Sequence, residues 1–147
     1  MWEIARDTEV LDLNSTYAYT LLCRDFADSS IVAERDGAVA GFVTGYRRPD
    51  RPDTLFVWQV AVDAAHRGHG IAGLMLNDLL DHLAVAGVTR LETTITASNT
   101  ASQELFGSVA RRRHSTLTVH DLFAPHHISP EESDPHEAEQ LYVIDPA

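Results

Sequence analysis

The chain predicts an α/β fold, a single domain over residues 1–147 built on a mixed sheet with helices against it. Three observations lead there. Asp36-Gly37 stands between two β-rich runs, the signature of an antiparallel hairpin. The strand-like run Thr54–Val62 leads through a glycine loop into apolar residues at helical spacing. Strand-like and helical patterns then continue to alternate. At 147 residues, with 44% hydrophobic and 22% charged residues, the chain suits one compact soluble domain.

From Asp12 to Phe26, "DLNSTYAYTLLCRDF" opens with cap-type residues and continues as a helix. Ser30–Tyr46 supplies the hairpin, and "RRPDRPD" (Arg47–Asp53) reads as a proline-punctuated loop. Thr54–Val62 is a buried strand. The helix from Ile71 places Met75, Leu79 and Leu83 on one face, widened by Leu76 and Leu80, and Gly87 ends it. "TRLETTIT" (Thr89–Thr96) is a further strand, and Asn99 caps a helix through about Ala110. "STLTVHDLF" and "QLYVI" are the last strands, around a loop rich in proline, histidine and acid.

The composition excludes several functions. A net charge of -11 disfavours nucleic acid and anionic membrane as partners, although a local nest of N–H groups can still hold a polyanion. No lysine occurs, which removes a P-loop and a pyridoxal-phosphate Schiff base. Cys23 is the only cysteine, so no internal disulfide or CxxC zinc site exists. With neither a signal peptide nor a membrane-spanning apolar run, a cytoplasmic location is the default expectation. His66, His69 and the pair His126-His127 suggest a metal, but adjacent histidines do not easily share one ion and no carboxylate pattern completes a site. No metal is expected.

The stretch "VAVDAAHRGHGIAGLM" (Val60–Met75) carries the chemistry. Gly68, Gly70 and Gly73 match G-x-G-x-x-G, and Glu92 follows where a dinucleotide fold has its ribose-binding acid. Against a dinucleotide site, "DAAHR" separates the strand from the first glycine, Glu92 sits at the start of "ETTIT", and a hairpin precedes the unit. The pattern R/Q-x-x-G-x-G/A fits better, at Arg67, Gly68, His69, Gly70, Ile71 and Ala72. There the loop aims unpaired backbone N–H groups at a pyrophosphate, and glycines let it approach. The bland alternative is a tight strand–helix connection and nothing more.

This stretch resembles the coenzyme A motif of the GNAT acetyltransferases. The resemblance implies the acyl-CoA N-acyltransferase fold, with a mixed, mostly antiparallel central sheet flanked by helices. It also implies acetyl-CoA as co-substrate, pantetheine pairing at Val60 and Val62, and a cofactor contact from Asn99. An N–H near Val60 would hold the tetrahedral oxyanion.

A narrower resemblance rests on "LDLNSTYAY", "GFVTGYRRPDRPDTLFVWQVAVD", "LETTITASNTAS" and "HEAEQLY". Together, from about Leu11 to Tyr142, these are similar to the diaminobutyrate acetyltransferases of ectoine synthesis. The resemblance implies acetylation of the γ-amine of L-2,4-diaminobutyrate, and a homodimer. A substrate with two ammonium groups and one carboxylate needs acids in its pocket. Asp12 and Glu92 are the candidates, with a helix N-cap as the alternative for Asp12 and an exposed strand end for Glu92. Trp58 offers a cation–π wall or, alternatively, a core side chain. Tyr17 and Thr94 are further polar candidates.

An amine with a pKa near ~10 is roughly 0.1% neutral at pH 7, a cost of about 4 kcal/mol unless a base or desolvation helps. The tyrosine that many GNAT enzymes use as general acid is replaced by Phe106. His136 is the first choice for the titrating group, with Tyr17 and Glu92 beside it as catalytic candidates; a solvated loop histidine is the alternative. Members of the family usually carry a first strand and the start of the first helix before the segment matching "W-x-x-A-R-D". Here that segment begins at Met1-Trp2, so the fold is expected to lack that strand, through an upstream start codon or a shortened member. Two competing functions remain: a GNAT enzyme for another small amine or amino acid, and a non-catalytic acyl-CoA-binding module.

Overall fold

The computed structural model describes residues 1–8, 10–128 and 136–147. The proline- and acid-rich stretch 129–135 thus lies outside the described residues. The chain forms two compact units, Met1–Val88 and Thr89–Ala147.

The first unit opens with helix α1 (Trp2–Thr8) and helix α2 (Thr16–Asp25). The helix expected from Asp12 starts later because Ser15 is its N-cap, its hydroxyl accepting from the Ala18 N–H at 3.2 Å. Strands β1 (Ile31–Arg35), β2 (Ala38–Arg48) and β3 (Arg51–Val62) follow as an antiparallel meander. Asp36 and Gly37, at φ 52° and 78°, form the expected left-handed two-residue turn. The loop expected over Arg47–Asp53 is instead a tight turn at Pro49-Asp50, since β2 runs to Arg48 and β3 begins at Arg51. Pro52 is tolerated inside β3 because Arg47 pairs with Leu55 and Arg48 with Arg51. Residues 52–54 therefore bulge out of the ladder, where a missing N–H costs nothing. Helix α3 (Ile71–Ala84) closes the unit, and Gly87 at φ 84° ends it as expected.

A second bulge organises this unit. Thr44 pairs with Gln59 and Gly45 with Val57, so Trp58 is one extra residue in β3. Paired residues share a face, and the inserted residue swaps the faces of β3. Leu55 and Val57 lie with Gly45 on one side. Beyond the bulge, Gln59 and Ala61 lie with Thr44 and Phe42 on the other. That second face carries α1 and α2, where Ile4, Ala5, Tyr19 and Leu22 pack on Phe42 and Ala61. Tyr19 meets Phe42 edge-on at 6.0 Å. The first face carries α3, whose Met75 lies against Gly41 and whose Leu76, Leu79, Leu80 and Leu83 are buried.

The second unit holds strands β4 (Arg90–Thr96), β5 (Thr116–Phe123) and β6 (Glu139–Asp145), with β6 between the other two and antiparallel to both. Helix α4 (Thr100–Arg112) starts at Asn99, whose side-chain oxygen accepts from the Ser102 N–H at 3.1 Å. It buries Phe106, Val109 and Ala110. Helix α5 (Pro125–Ile128) carries His126 and His127. Among the described residues no helix is long and apolar enough to cross a membrane, and no group of three or more His, Cys, Asp or Glu is arranged to hold a metal.

The Trp58 bulge depends on close approach of β2. A Cβ on Gly45 would stand 2.6 Å from the Phe56 carbonyl oxygen, which is backbone and cannot swing away. Gly45→Ala is therefore expected to cost about 2 kcal/mol or more, roughly 4–8 °C in Tm for a chain of this size, as read by thermal denaturation. An unchanged Tm would mean that the ladder adapts there freely.

Candidate active site

The first unit builds an anion cradle where β3 runs into α3. Beyond the bulge, Val60 and Val62 are half-buried. Asp63 caps the turn Ala64–His66 by accepting from the Ala65 N–H at 2.9 Å. Arg67 folds back so that its Nε donates to the Val62 carbonyl at 3.1 Å, tying the arginine to the end of the strand. Gly68 and Gly70 then take φ 79° and 73°, left-handed values that side chains resist. Between them, the His69 ring nitrogen Nδ1 lies 2.9 Å from the Arg67 carbonyl.

Gly70 is the N-cap of α3, and the Leu74 N–H bonds its carbonyl at 3.0 Å. The N–H groups of Ile71, Ala72 and Gly73 thus begin the helix without intrahelical partners. They head a 14-residue helix, whose dipole adds partial positive charge at that end. Apart from chain neighbours and the backbone of α3 itself, no heavy atom of the described residues lies within 4 Å of where a Cβ would stand on Gly68, Gly70 or Gly73. Positive φ explains the first two glycines. Gly73 has neither that reason nor a packing reason, and open space beside bare amides is what a pyrophosphate needs.

The same unit gathers the amine-side candidates. Trp58, the extra residue of the bulge, is 48% exposed and so is not a core side chain. Asp12 is exposed and is not the helix cap. Its backbone carbonyl accepts from Gln59 Nε2 at 2.8 Å, which fastens its loop to β3 beside Trp58. Gln59 Oε1 in turn accepts from the Tyr19 hydroxyl at 2.8 Å. Burial pushes the Tyr19 phenol above its ordinary pKa. Tyr17 stands well out in solvent at 69% exposure. Tyr19 and Gln59 are not among the candidates that sequence alone singles out, although each leaves a signal: Tyr19 and Leu22 lie at helical spacing on the buried face of α2, and Gln59 is a lone amide in an apolar run.

The second unit holds the remaining candidates. On β4, Arg90, Glu92, Thr94 and Thr96 share one face. Glu92 is not at an exposed strand end: it is 1% exposed, and its Oε1 pairs with Arg90 Nε at 3.1 Å. Arg90 also meets Asp145 at 2.9 Å. Removing the partner of a buried carboxylate would be costly. Thr94 is half-buried two residues along. Phe106 is 2% exposed and fills the core of α4, with no proton to give.

His136 is half-buried, with Nδ1 3.1 Å from the Glu137 carbonyl. The tautomer that donates there keeps Nε2 as the ring's acceptor nitrogen. Glu137 clamps the loop after β4, taking the Ser98 hydroxyl at 2.5 Å and the Ser98 N–H at 3.2 Å. His136 and Asn99 are thereby tied to one loop cluster, a link that sequence spacing does not reveal.

Known proteins fit this geometry. The model of the acetyltransferase (GNAT) family matches residues 1–109. The L-2,4-diaminobutyric acid acetyltransferase of Streptomyces coelicolor is 53% identical over 99% of this chain and 85% of its own length. That of Nocardia farcinica is 51% identical over 99% and 74%. Among solved structures, the diaminobutyrate acetyltransferase EctA of Paenibacillus lautus, in complex with L-2,4-diaminobutyric acid and coenzyme A, superposes with a TM-score of 0.92 at 43% identity, covering 99% of this chain and 86% of that one. The ribosomal-protein-S18-alanine N-acetyltransferase of Escherichia coli shares the fold at a TM-score of 0.69 and 18% identity. The chain has the GNAT fold and belongs to the L-2,4-diaminobutyric acid acetyltransferases.

Proposed function

We propose that this enzyme transfers the acetyl group of acetyl-CoA to the γ-nitrogen of L-2,4-diaminobutyrate, giving Nγ-acetyl-2,4-diaminobutyrate for ectoine synthesis. The near full-length match to acetyltransferases of that substrate carries the assignment. The whole chain is taken as one acetyltransferase domain, and in support of that the family model runs past the end of the first compact unit and into the second, to residue 109. When bound, acetyl-CoA supplies the activated acetyl group. The amides of Ile71, Ala72 and Gly73, with the loop of Arg67, Gly68, His69 and Gly70, hold its pyrophosphate. Val60 and Val62 pair with the pantetheine arm, an N–H at Val60 serves the oxyanion, and Asn99 contacts the cofactor.

Asp12, Trp58, Glu92 and Thr94 bind the diamine. Two carboxylates answer two ammonium groups, and Trp58 offers an aromatic face. The attacking nitrogen must shed one proton before it can use its lone pair. A second leaves once the C–N bond has formed and the C–S bond has broken. One of the two ends on the thiol and the other in solvent. His136 takes the proton-accepting role, with Glu92 and Tyr17 as further catalytic assignments. A homodimer in the cytoplasm completes the picture. The exposed Val119, Leu122 and Phe123 on the outer strand β5 support a covering partner.

Thiol release with diaminobutyrate, ornithine and lysine, with the acetylated position read by NMR, tests the assignment. Fast turnover on diaminobutyrate at the γ-nitrogen is expected; turnover confined to another amine would overturn the substrate, and none on any amine would leave a coenzyme A-binding module. The cradle has its own test in Gly73→Ala. An alanine in the first turn should stabilise α3 by about 0.5–1 kcal/mol. It should also raise the KM for acetyl-CoA about tenfold, some 1.4 kcal/mol. Gain in stability without change in KM would remove Gly73 from the cradle.

A further inference from the structure

Gln59 sits between a residue assigned to the diamine and one assigned to the cofactor. It follows Trp58 in the bulge and precedes Val60, yet its side chain turns to the opposite face and is 4% exposed. There both ends of its amide are committed. Nε2 donates to the Asp12 carbonyl at 2.8 Å, and a carbonyl can only accept, so the orientation of the amide is settled. Oε1 must therefore face Tyr19, and the phenol must donate, also at 2.8 Å. Asn14, half-buried on the loop that carries Asp12, lies beside the same phenol. The loop before α2 is thus tied to the bulge by hydrogen bonds running Asp12 carbonyl, Gln59, Tyr19, with Asn14 next to the phenol.

Asp12 itself is exposed and Trp58 half-exposed, so neither is held by burial. The hydrogen bonds of Gln59 link the strand that carries Trp58 to the loop that carries Asp12. We propose that Tyr19 and Gln59 are positioning residues that set the separation of Asp12 and Trp58, and through it the length of diamine the enzyme accepts. The inference rests on Asp12 and Trp58 being substrate residues.

Tyr19→Phe keeps the ring against Phe42 and removes only the hydroxyl. The expected result is a KM for diaminobutyrate raised about tenfold, a preference over ornithine reduced to a similar degree, and a KM for acetyl-CoA within about twofold of wild type. A merely structural tyrosine would instead lower stability and leave the KM values and the preference unchanged, and that outcome overturns the proposal. If Tyr19→Phe does not fold, Asn14→Ala, which removes the half-buried neighbour of the phenol, is read in the same way. Asp12→Asn is run beside them. If it raises the KM for diaminobutyrate while the Tyr19 and Asn14 variants do not, the positioning role falls alone. If Asp12→Asn changes nothing, the substrate assignment of Asp12 falls, and the positioning role falls with it.

Discussion

One inserted residue governs the first unit. Were Trp58 paired in the ladder instead of bulged, β3 would keep a single alternation, and Gln59 would lie with Val57 on the α3 face. The insertion sends Gln59 to the α2 face, where Tyr19 and the Asp12 carbonyl satisfy its amide, and leaves Trp58 itself outside the ladder. A bulge costs ladder hydrogen bonds. Gly45 offsets part of that by letting the β3 carbonyl come close enough to keep the strands packed. Local irregularity and function coincide here, as they often do where a strand must re-aim a side chain.

The handling of charge follows a second constraint. A chain with a net charge of -11 is an unfavourable host for a pyrophosphate, and long-range attraction cannot help it. Binding must come from groups in contact: three bare amides at the head of α3, two left-handed glycines that turn the chain into it, and an arginine anchored on the strand end. Backbone donors also carry no side-chain entropy, so the cradle is ordered before its ligand arrives. The amine side uses the acidity directly. Glu92 is buried against Arg90, whereas Asp12 is exposed on a tied loop.

Features set by neighbouring residues were legible in the sequence. Asp36-Gly37 demands a left-handed turn, Gly87 ends a helix, Asn99 caps one, and the apolar spacing of α3 names its buried face. The glycines from Gly68 to Gly73 announced a ligand loop because a backbone cradle needs them locally. Features that depend on distant pairing were not legible. Prolines at 49 and 52 suggested a long loop, yet a bulge absorbs one and a two-residue turn the other. An alternating strand conceals a one-residue insertion completely, so the roles of Gln59 and Tyr19 emerged only with the register. Glu92 is legible as a candidate pocket acid with an exposed strand end as the alternative, and nothing nearby foretells its complete burial beside Arg90.

The most direct measurement is amide hydrogen exchange of the enzyme with and without coenzyme A. The N–H groups of Ile71, Ala72 and Gly73 lack intrahelical partners, so they are expected to exchange fast in the free protein and to become protected on binding. Saturable binding that leaves these three amides unprotected would contradict the claim that the head of α3 holds the cofactor.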